Sequence, residues 1–160
     1  MQFKTADLCD EHENSIAIAQ PLFRDYGGKI SFCGKISTIK CHEDNSRVRE
    51  ALKSPGDGQV LVVDGGGSTR RALVGDLLAH AGAENHWAGI VVYGCIRDSE
   101  VIATINIGCK AIATMPLKTD KKGIGENDLV VQFADVDFIP GHFLYADEDG
   151  IIVSAKDLLA

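Results

Sequence analysis

The 160-residue chain sets 16 Lys and Arg against 23 Asp and Glu, a formal net charge of −7. Its 45% apolar and 24% charged content suits one globular domain, residues 1–160, with enough chain to bury a core. The negative charge argues against direct nucleic-acid binding, which needs a cationic surface, but leaves a basic protein partner open.

The N-terminal stretch lacks a signal-peptide apolar core. No apolar run approaches the ~20 residues a bilayer span requires, so no membrane association is expected. Cys9, Cys33, Cys41, Cys95 and Cys109 stand singly, without a Cys-x-x-Cys pair. That pattern argues against a zinc knuckle or a thioredoxin motif. It suits reduced, buried thiols in a cytoplasmic protein.

In chain order, Thr5–Glu13 reads as a short helix capped by Thr5 or Asp7. Ser15–Phe23 is apolar and meets Pro21, which suggests a loop edge, and Gly27-Gly28 marks a turn. Ile30–Ile39 alternates as a strand does. Asn45–Lys53 reads as a helix capped by Asn45 or Ser46, followed by the turn Ser54-Pro55-Gly56-Asp57-Gly58. Val60–Asp64 is a continuous β-branched and apolar run, expected of a strand buried on both faces. Leu77–Glu84 is helical and Ile90–Tyr93 is a second buried strand. Together these three make a βαβ unit with a right-handed parallel crossover. Val101–Thr104 reads as a short helix and Ala111–Met115 as a strand stopped by Pro116. Leu129–Phe133, Val136–Ile139, His142–Tyr145 and Ile151–Val153 are short strands split by Asp, Pro and Gly, read as an antiparallel meander.

Gly65-Gly66-Gly67-Ser68 lacks the Gly-Lys-Ser/Thr of a phosphate loop, and position 70 is Arg where a dinucleotide fingerprint needs glycine. It reads as a strand-end turn. A helix from Ser68 to Glu84 would bury Gly75 mid-helix at about 1 kcal/mol relative to alanine. A start at Gly75 avoids that cost and places Asp76 in the first turn, where an acid suits the helix dipole. The amides of Gly75–Leu78 would then form an anion site, with Arg70 and Arg71 nearby.

Twenty residues separate Asp76 from Arg97-Asp98, room for one helix and one strand. Arg97 falls just beyond the carboxyl end of a buried strand, where ligands bind in parallel α/β units. Two readings are open. Arg97 and Asp98 form a structural ion pair with Asp76 as a helix cap, or they form a site. In a site, Arg97 would hold a carboxylate or enolate through paired hydrogen bonds. Asp98 would ligate Mg²⁺ or Mn²⁺, hard cations that prefer oxygen and keep waters, and Asp76 would hold those waters. An acidic protein handling an anion must concentrate positive potential locally.

The chain resembles the RraA-like family, which includes regulators of ribonuclease E and the 4-hydroxy-4-methyl-2-oxoglutarate aldolases, class II lyases. The resemblance runs over nearly the whole chain. It rests on Ala6-Asp7-Leu8-Cys9-Asp10, Pro21-Leu22-Phe23, Gly27-Gly28, Thr38-Ile39-Lys40-Cys41 and Glu43-Asp44-Asn45. It continues through Val60–Ser68, Tyr145-Ala146-Asp147 and Gly150–Val153, and Asp76, Arg97 and Asp98 complete the aldolases' Asp-x20-Arg-Asp motif.

The resemblance implies a swivelling-type β/β/α sandwich, usually assembled as a homotrimer with sites at subunit interfaces. It implies Asp98 as metal ligand, Arg97 and Asp76 as catalytic residues, and Gly75, Asp76, Leu77, Leu78 and Arg97 around a small keto-acid substrate. The activity implied is metal-dependent aldol cleavage of 4-hydroxy-4-methyl-2-oxoglutarate to pyruvate, decarboxylation of oxaloacetate, or both. The alternative is a non-catalytic inhibitor of ribonuclease E, whose members tend to lack the acid that Asp98 supplies. Larger aldolases of the family carry a C-terminal extension that gives an acid to the neighbouring site. Relative to them, the decarboxylation is the lesser demand on this chain.

The remaining candidates read as structural. His12, His42, His80, His86 and His142 form no HxxxH or HxH pair. Asp147-Glu148-Asp149-Gly150 reads as a solvated hairpin turn. Lys118, Lys121 and Lys122 read as a solvated basic loop, since Schiff-base chemistry needs a desolvated lysine. Trp87 reads as core or interface.

Overall fold

The structure, a computed structural model, describes residues 2–160. Helix α1 (Thr5–His12) and a single 3-10 turn lead into β1 (Ile16–Ile18), β2 (Arg24–Asp25) and β3 (Phe32–Lys40). Then come α2 (Ser46–Leu52), β4 (Val60–Asp64), β5 (Ala72–Val74), α3 (Asp76–Glu84), β6 (Gly89–Ile96), α4 (Ser99–Ile102) and β7 (Gly108–Thr114). The chain ends in five short strands: β8 (Glu126–Asn127), β9 (Val131–Phe133), β10 (Val136–Phe138), β11 (Phe143–Asp147) and β12 (Gly150–Ser154).

One mixed sheet runs in the order β1-β12-β11-β3-β4-β6-β7-β2, with β5 beside β6 and β8 beside β3, while β9 and β10 form a separate hairpin. Strand β3 joins its two halves. Phe32–Lys35 pair antiparallel with β11, and Ile36–Lys40 pair parallel with β4. The expected βαβ unit is present, since β4 and β6 pair in parallel from Val60↔Gly89 to Asp64↔Tyr93.

Strand β4 shows why its sequence is apolar throughout. Leu61 and Val63 face a core shared with Val48 and Leu52 of α2 and Ala79 of α3. Val60 and Val62 face a second core with Phe133, Phe138, Leu144 and Val153. All four residues are 0% exposed, each worth about 1.5–3 kcal/mol of transfer from water. Helices thus cover one face of the central sheet and strands the other, the β/β/α layering expected. The Phe32 ring lies over the Cα atoms of Gly89 and Gly108 at the starts of β6 and β7, where a side chain would occupy the space of the ring.

Several details differ from the sequence reading. The apolar stretch 15–23 is not all loop: Ile16–Ile18 pair antiparallel with β12 and seal its edge. Ala72–Val74, to which the sequence reading assigns no element, form β5. The supposed meander divides between two sheets. β9 and β10 pair only with each other, whereas β11 and β12 join the main sheet.

The caps of α1 and α2 are not the ones expected from sequence. Neither Thr5 nor Asp7 caps α1. Instead Asp147, 142 residues away, accepts from the Thr5 amide at 2.7 Å and the Thr5 hydroxyl at 2.6 Å. The acid expected in a solvated turn is therefore 2% exposed and holds a helix start. At α2 the cap is Asp44, whose Oδ1 accepts from the Ser46 amide at 2.9 Å and hydroxyl at 2.6 Å. Trp87 is core, 6% exposed, with its ring N–H donating to the Ser54 carbonyl at 3.0 Å.

Candidate active site

The strand that sequence patterning misses is the one that assembles the site. β4 pairs with Gly89–Tyr93, and β5 then takes the same edge of β6, reaching Cys95 and Ile96. Gly66 and Gly67, with φ of 68° and 71°, turn the chain between β4 and this second run. Strands β5 and β6 end side by side, and the Arg97 amide donates to the Val74 carbonyl at 2.9 Å. That juxtaposition closes the twenty-residue gap and sets the Gly75 helix start against Arg97-Asp98.

Helix α3 begins at Asp76 with Gly75 as its N-cap residue, as the glycine argument requires. Its cap comes from across the gap, where Asp98 Oδ2 accepts from the Asp76 amide at 3.0 Å. The Leu77 amide is also engaged, at 2.9 Å to Asp76 Oδ1. The helix start is therefore not the open set of amides anticipated, because its own acids occupy two of them. Arg97 Nε lies 3.9 Å from Asp98 Oδ2, and one guanidinium N–H reaches the Pro116 carbonyl at 3.4 Å. The rest of the Arg97 fork is free to meet an anion.

Asp98 adopts a left-handed conformation, φ 58° and ψ 38°. That geometry costs a non-glycine residue about 1–2 kcal/mol and is tolerated best by Asp and Asn. It turns the carboxylate toward the start of α3, and Asp98 precedes the short helix α4 without a side-chain cap bond to it. The hydrogen bond from the Asp76 amide holds the Asp98 carboxyl below its usual range, with Arg97 adding to the effect and partial burial opposing it.

The donor set suits a hard cation. Asp98 Oδ2 and Asp76 Oδ1 are committed to backbone amides, which leaves the second oxygen of each carboxylate for a ligand. No cluster of three or more His, Cys, Asp or Glu is placed to hold an ion among the described residues. One or two carboxylate oxygens with the remaining positions taken by water is how Mg²⁺ and Mn²⁺ bind, and it does not suit tetrahedral Zn²⁺.

These residues line a cavity of about 220 Å³, bounded on one side by Gly75, Asp76, Leu77, Leu78, Arg97 and Asp98. All the site residues expected from sequence therefore meet. The rest of the lining was not anticipated. It consists of Asn45, Arg49 and Lys53 of the α2 region with Lys118 and Lys121 of the loop after β7. Lys118 and Lys121, read from sequence as solvated, are exposed as expected and also line the cavity. Arg49 and Lys53 are four apart on one helix face, a signal that sequence alone cannot tell from a solvated stripe.

Arg70 does not contribute, since its guanidinium lies 2.6 Å from Glu43 Oε2. Arg71 supports the loop, donating to the Lys118 carbonyl at 2.9 Å. The buried thiols Cys41 and Cys109 are pushed up to about 12 by burial, then by Asp64 and Asp25 respectively, and are inert.

Fold and site together define a mixed α/β protein with an acid–arginine cluster at adjacent parallel strand ends. The family model "RraA-like: Aldolase/RraA" matches residues 5–153, and the chain belongs to that family. It is 58% identical over 159 residues to a protein of Aromatoleum aromaticum, covering 99% of this chain and 100% of that one. That relative is named "Putative 4-hydroxy-4-methyl-2-oxoglutarate aldolase". A Pseudomonas aeruginosa protein of the same name is 55% identical over 158 residues, covering 99% and 98% of the two chains.

Two solved structures superpose closely. One, from Geobacillus kaustophilus, is described as an S-adenosylmethionine:2-dimethylmenaquinone methyltransferase, with TM-score 0.94, 48% identity and 98% of both chains covered. The other, the RNA-processing inhibitor RraA of Thermus thermophilus, has TM-score 0.93 and 42% identity, covering 98% of this chain and 94% of that one.

Proposed function

We propose that this chain is a divalent-metal-dependent carbon–carbon lyase acting on short 2-oxo acids. The observation that carries this reading is Arg97, with most of its guanidinium unengaged, beside two carboxylates that each retain an uncommitted oxygen. The names of the full-length relatives at 55–58% identity agree with it. The substrates would be 4-hydroxy-4-methyl-2-oxoglutarate, oxaloacetate or both.

In the aldol cleavage, the C4 hydroxyl loses its proton as the C3–C4 bond breaks. One pyruvate leaves as the ketone and the other forms as an enolate, which takes up a proton at C3. In the decarboxylation, C4 of oxaloacetate leaves as CO₂ and the same enolate results. Arg97 binds the carboxylate and enolate oxygens through charge-assisted hydrogen bonds placed where negative charge grows. Bound at Asp98, Mg²⁺ or Mn²⁺ would supply Lewis-acid stabilisation of that charge. Asp76 orients water through its free carboxylate oxygen.

The cavity is open on one side, and Leu77 at its rim is 79% exposed, with Val101 and Leu117 also exposed, at 41% and 49%. A neighbouring subunit covering these apolar groups would enclose the site. A homotrimer, acting in the cytoplasm, is therefore part of this reading. All five cysteines are unpaired, which suits a reducing compartment. Release of pyruvate from oxaloacetate, with and without a chelator, tests the function. No acceleration over Mg²⁺ alone would refute it.

The likeness to the Thermus inhibitor favours a second reading, a protein that masks a ribonuclease E-type endonuclease by contact. A −7 chain would meet a basic segment of such a partner. Retention of Asp98, which contact inhibition does not require, favours the enzyme.

A further inference from the structure

A second cavity, of about 730 Å³, lies beyond the carboxyl ends of β3, β4 and β6 and shares no lining residue with the first. Four residues stand abreast along it. Glu126 of β8 pairs with Lys40 of β3, Lys40 with Asp64 of β4, and Asp64 with Tyr93 of β6. All four line the cavity. Side chains alternate along a strand, so Lys40 and Asp64 share the face on which Ile36, Val60 and Val62 meet the strand-side core. The first cavity is lined from α2 and α3, which cover the other face.

Opposite charges directly across neighbouring strands ordinarily close on each other. Here they do not. Among the described residues Lys40 has no carboxylate within 4.0 Å, although an acid flanks it on each side, whereas Lys110 closes on Asp25 at 3.0 Å. Asp64 is 8% exposed, and the one donor to its carboxylate among the described residues is the Gly66 amide, 2.9 Å from Oδ1. Its Oδ2 is uncommitted. A carboxylate so nearly buried is costly without a counter-ion. The Tyr93 hydroxyl also has no hydrogen-bond partner among the described residues, and its ring is held flat on Phe133 at 4.8 Å between centroids. Apolar surface stands at the same cavity. Ile124 is 62% exposed, yet its amide is fixed to Asp44 Oδ2 at 3.1 Å and Arg47 holds the Gly123 carbonyl at 2.7 Å.

We propose that this second cavity binds a free α-amino acid with an apolar side chain. The ammonium meets Asp64 Oδ2, the carboxylate meets Lys40, and the side chain lies on Ile124. A simple amine would leave Lys40 without a counter-charge, and a simple carboxylate would leave Asp64 without one. A zwitterion satisfies both. Lys40 and Asp64 spring from strands about 4.8 Å apart, a gap that an ammonium and a carboxylate carried on one carbon can bridge. The Tyr93 hydroxyl offers a further donor to the bound carboxylate. None of these residues belongs to the proposed lyase site, so the two readings stand apart.

Calorimetric titration of the full chain with L-leucine, 4-methylpentanoate and 3-methylbutylamine tests this. The second compound is leucine without its ammonium, and the third is leucine without its carboxylate. The wild type should bind leucine about tenfold or more tightly than either, the loss expected for one charged hydrogen bond. Asp64→Asn keeps an acceptor for the Gly66 amide and removes the charge. Lys40→Met keeps most of the stem and removes the ammonium. Each should weaken leucine about tenfold without lowering the melting temperature of the free protein. Asp98→Ala should bind leucine as the wild type does. In amide nitrogen–proton spectra, leucine should shift Gly66 and Gly125.

No binding of leucine, or leucine held no more tightly than either half-analogue, would overturn the site. So would binding that is unchanged in both Asp64→Asn and Lys40→Met, or shifts confined to Gly75–Leu78 of the first cavity. Pyruvate release bears only on the lyase reading.

Discussion

At the scale of single residues, the proposed function gives one carboxylate two duties. Asp98 caps α3 through the Asp76 amide and leaves an oxygen for a cation. Asp98→Ala should abolish metal-stimulated pyruvate release. It should lower stability by about 1 kcal/mol, the usual cost of a lost cap, with an unchanged far-ultraviolet circular dichroism spectrum. Metal-stimulated activity persisting in that variant would remove Asp98 from the chemistry. Gly75 provides a sharper probe. Its φ of −120° suits any residue, but a Cβ there would lie 2.8 Å from Asp98 Oδ2 and 3.4 Å from Arg97 Nε. Gly75→Ala should therefore cut turnover more than tenfold by displacing the carboxylate while costing about 1 kcal/mol or less in denaturant melts. A variant with normal turnover would show that the carboxylate position is not critical.

At the scale of elements, Asp44 ties α2 to the loop 119–124. Burial would raise its pKa, but hydrogen bonds from the Ser46 hydroxyl and amide and from the Ile124 and Lys122 amides outweigh it and bring the carboxyl to about 2. An ordinary aspartate titrates near 3.9. Because the folded value is the lower one, the tie contributes stability fully above about pH 4 and loses it as pH falls toward 2. Asp44→Asn should be less stable than the wild type at pH 7, and the two should converge on acidification. A difference that does not shrink would refute the link. The core is less forgiving. Phe32 fills the space over Gly89 and Gly108 and is 2% exposed, so Phe32→Ala should cost about 3–5 kcal/mol in chemical denaturation.

At the scale of the whole molecule, the charge and the open cavity point outward. If a neighbouring subunit covers Leu77, Val101 and Leu117, light scattering should give three times the chain mass. Leu77→Asp, at a largely solvated position in the single chain, should then dissociate the assembly and reduce turnover together. A monomer that releases pyruvate as fast as the wild type would count against an interface site. Contact with a basic endonuclease segment should weaken as salt rises. Retention on such a segment that is indifferent to salt would exclude charge as its basis.

Sequence by itself determined the elements whose cause is local. The β-branched run of β4 could only be a strand buried on both faces, Gly75 could only begin α3 cheaply, and the Asp76–Arg97–Asp98 spacing picked out three residues that line one cavity, while leaving a structural ion pair and a site both open. Tertiary structure decided whatever depends on a distant partner. Asp147 caps a helix 142 residues away. β5 is three residues long and is a strand because β6 offers it an edge after Gly66 and Gly67 turn the chain. Lys118 and Lys121 look like any solvated basic loop until Asp44, Asn45 and Arg71 pin that loop against the cavity. Periodicity and propensity report what a segment prefers alone, whereas caps, edge pairing and charge placement are fixed by groups the fold brings from elsewhere.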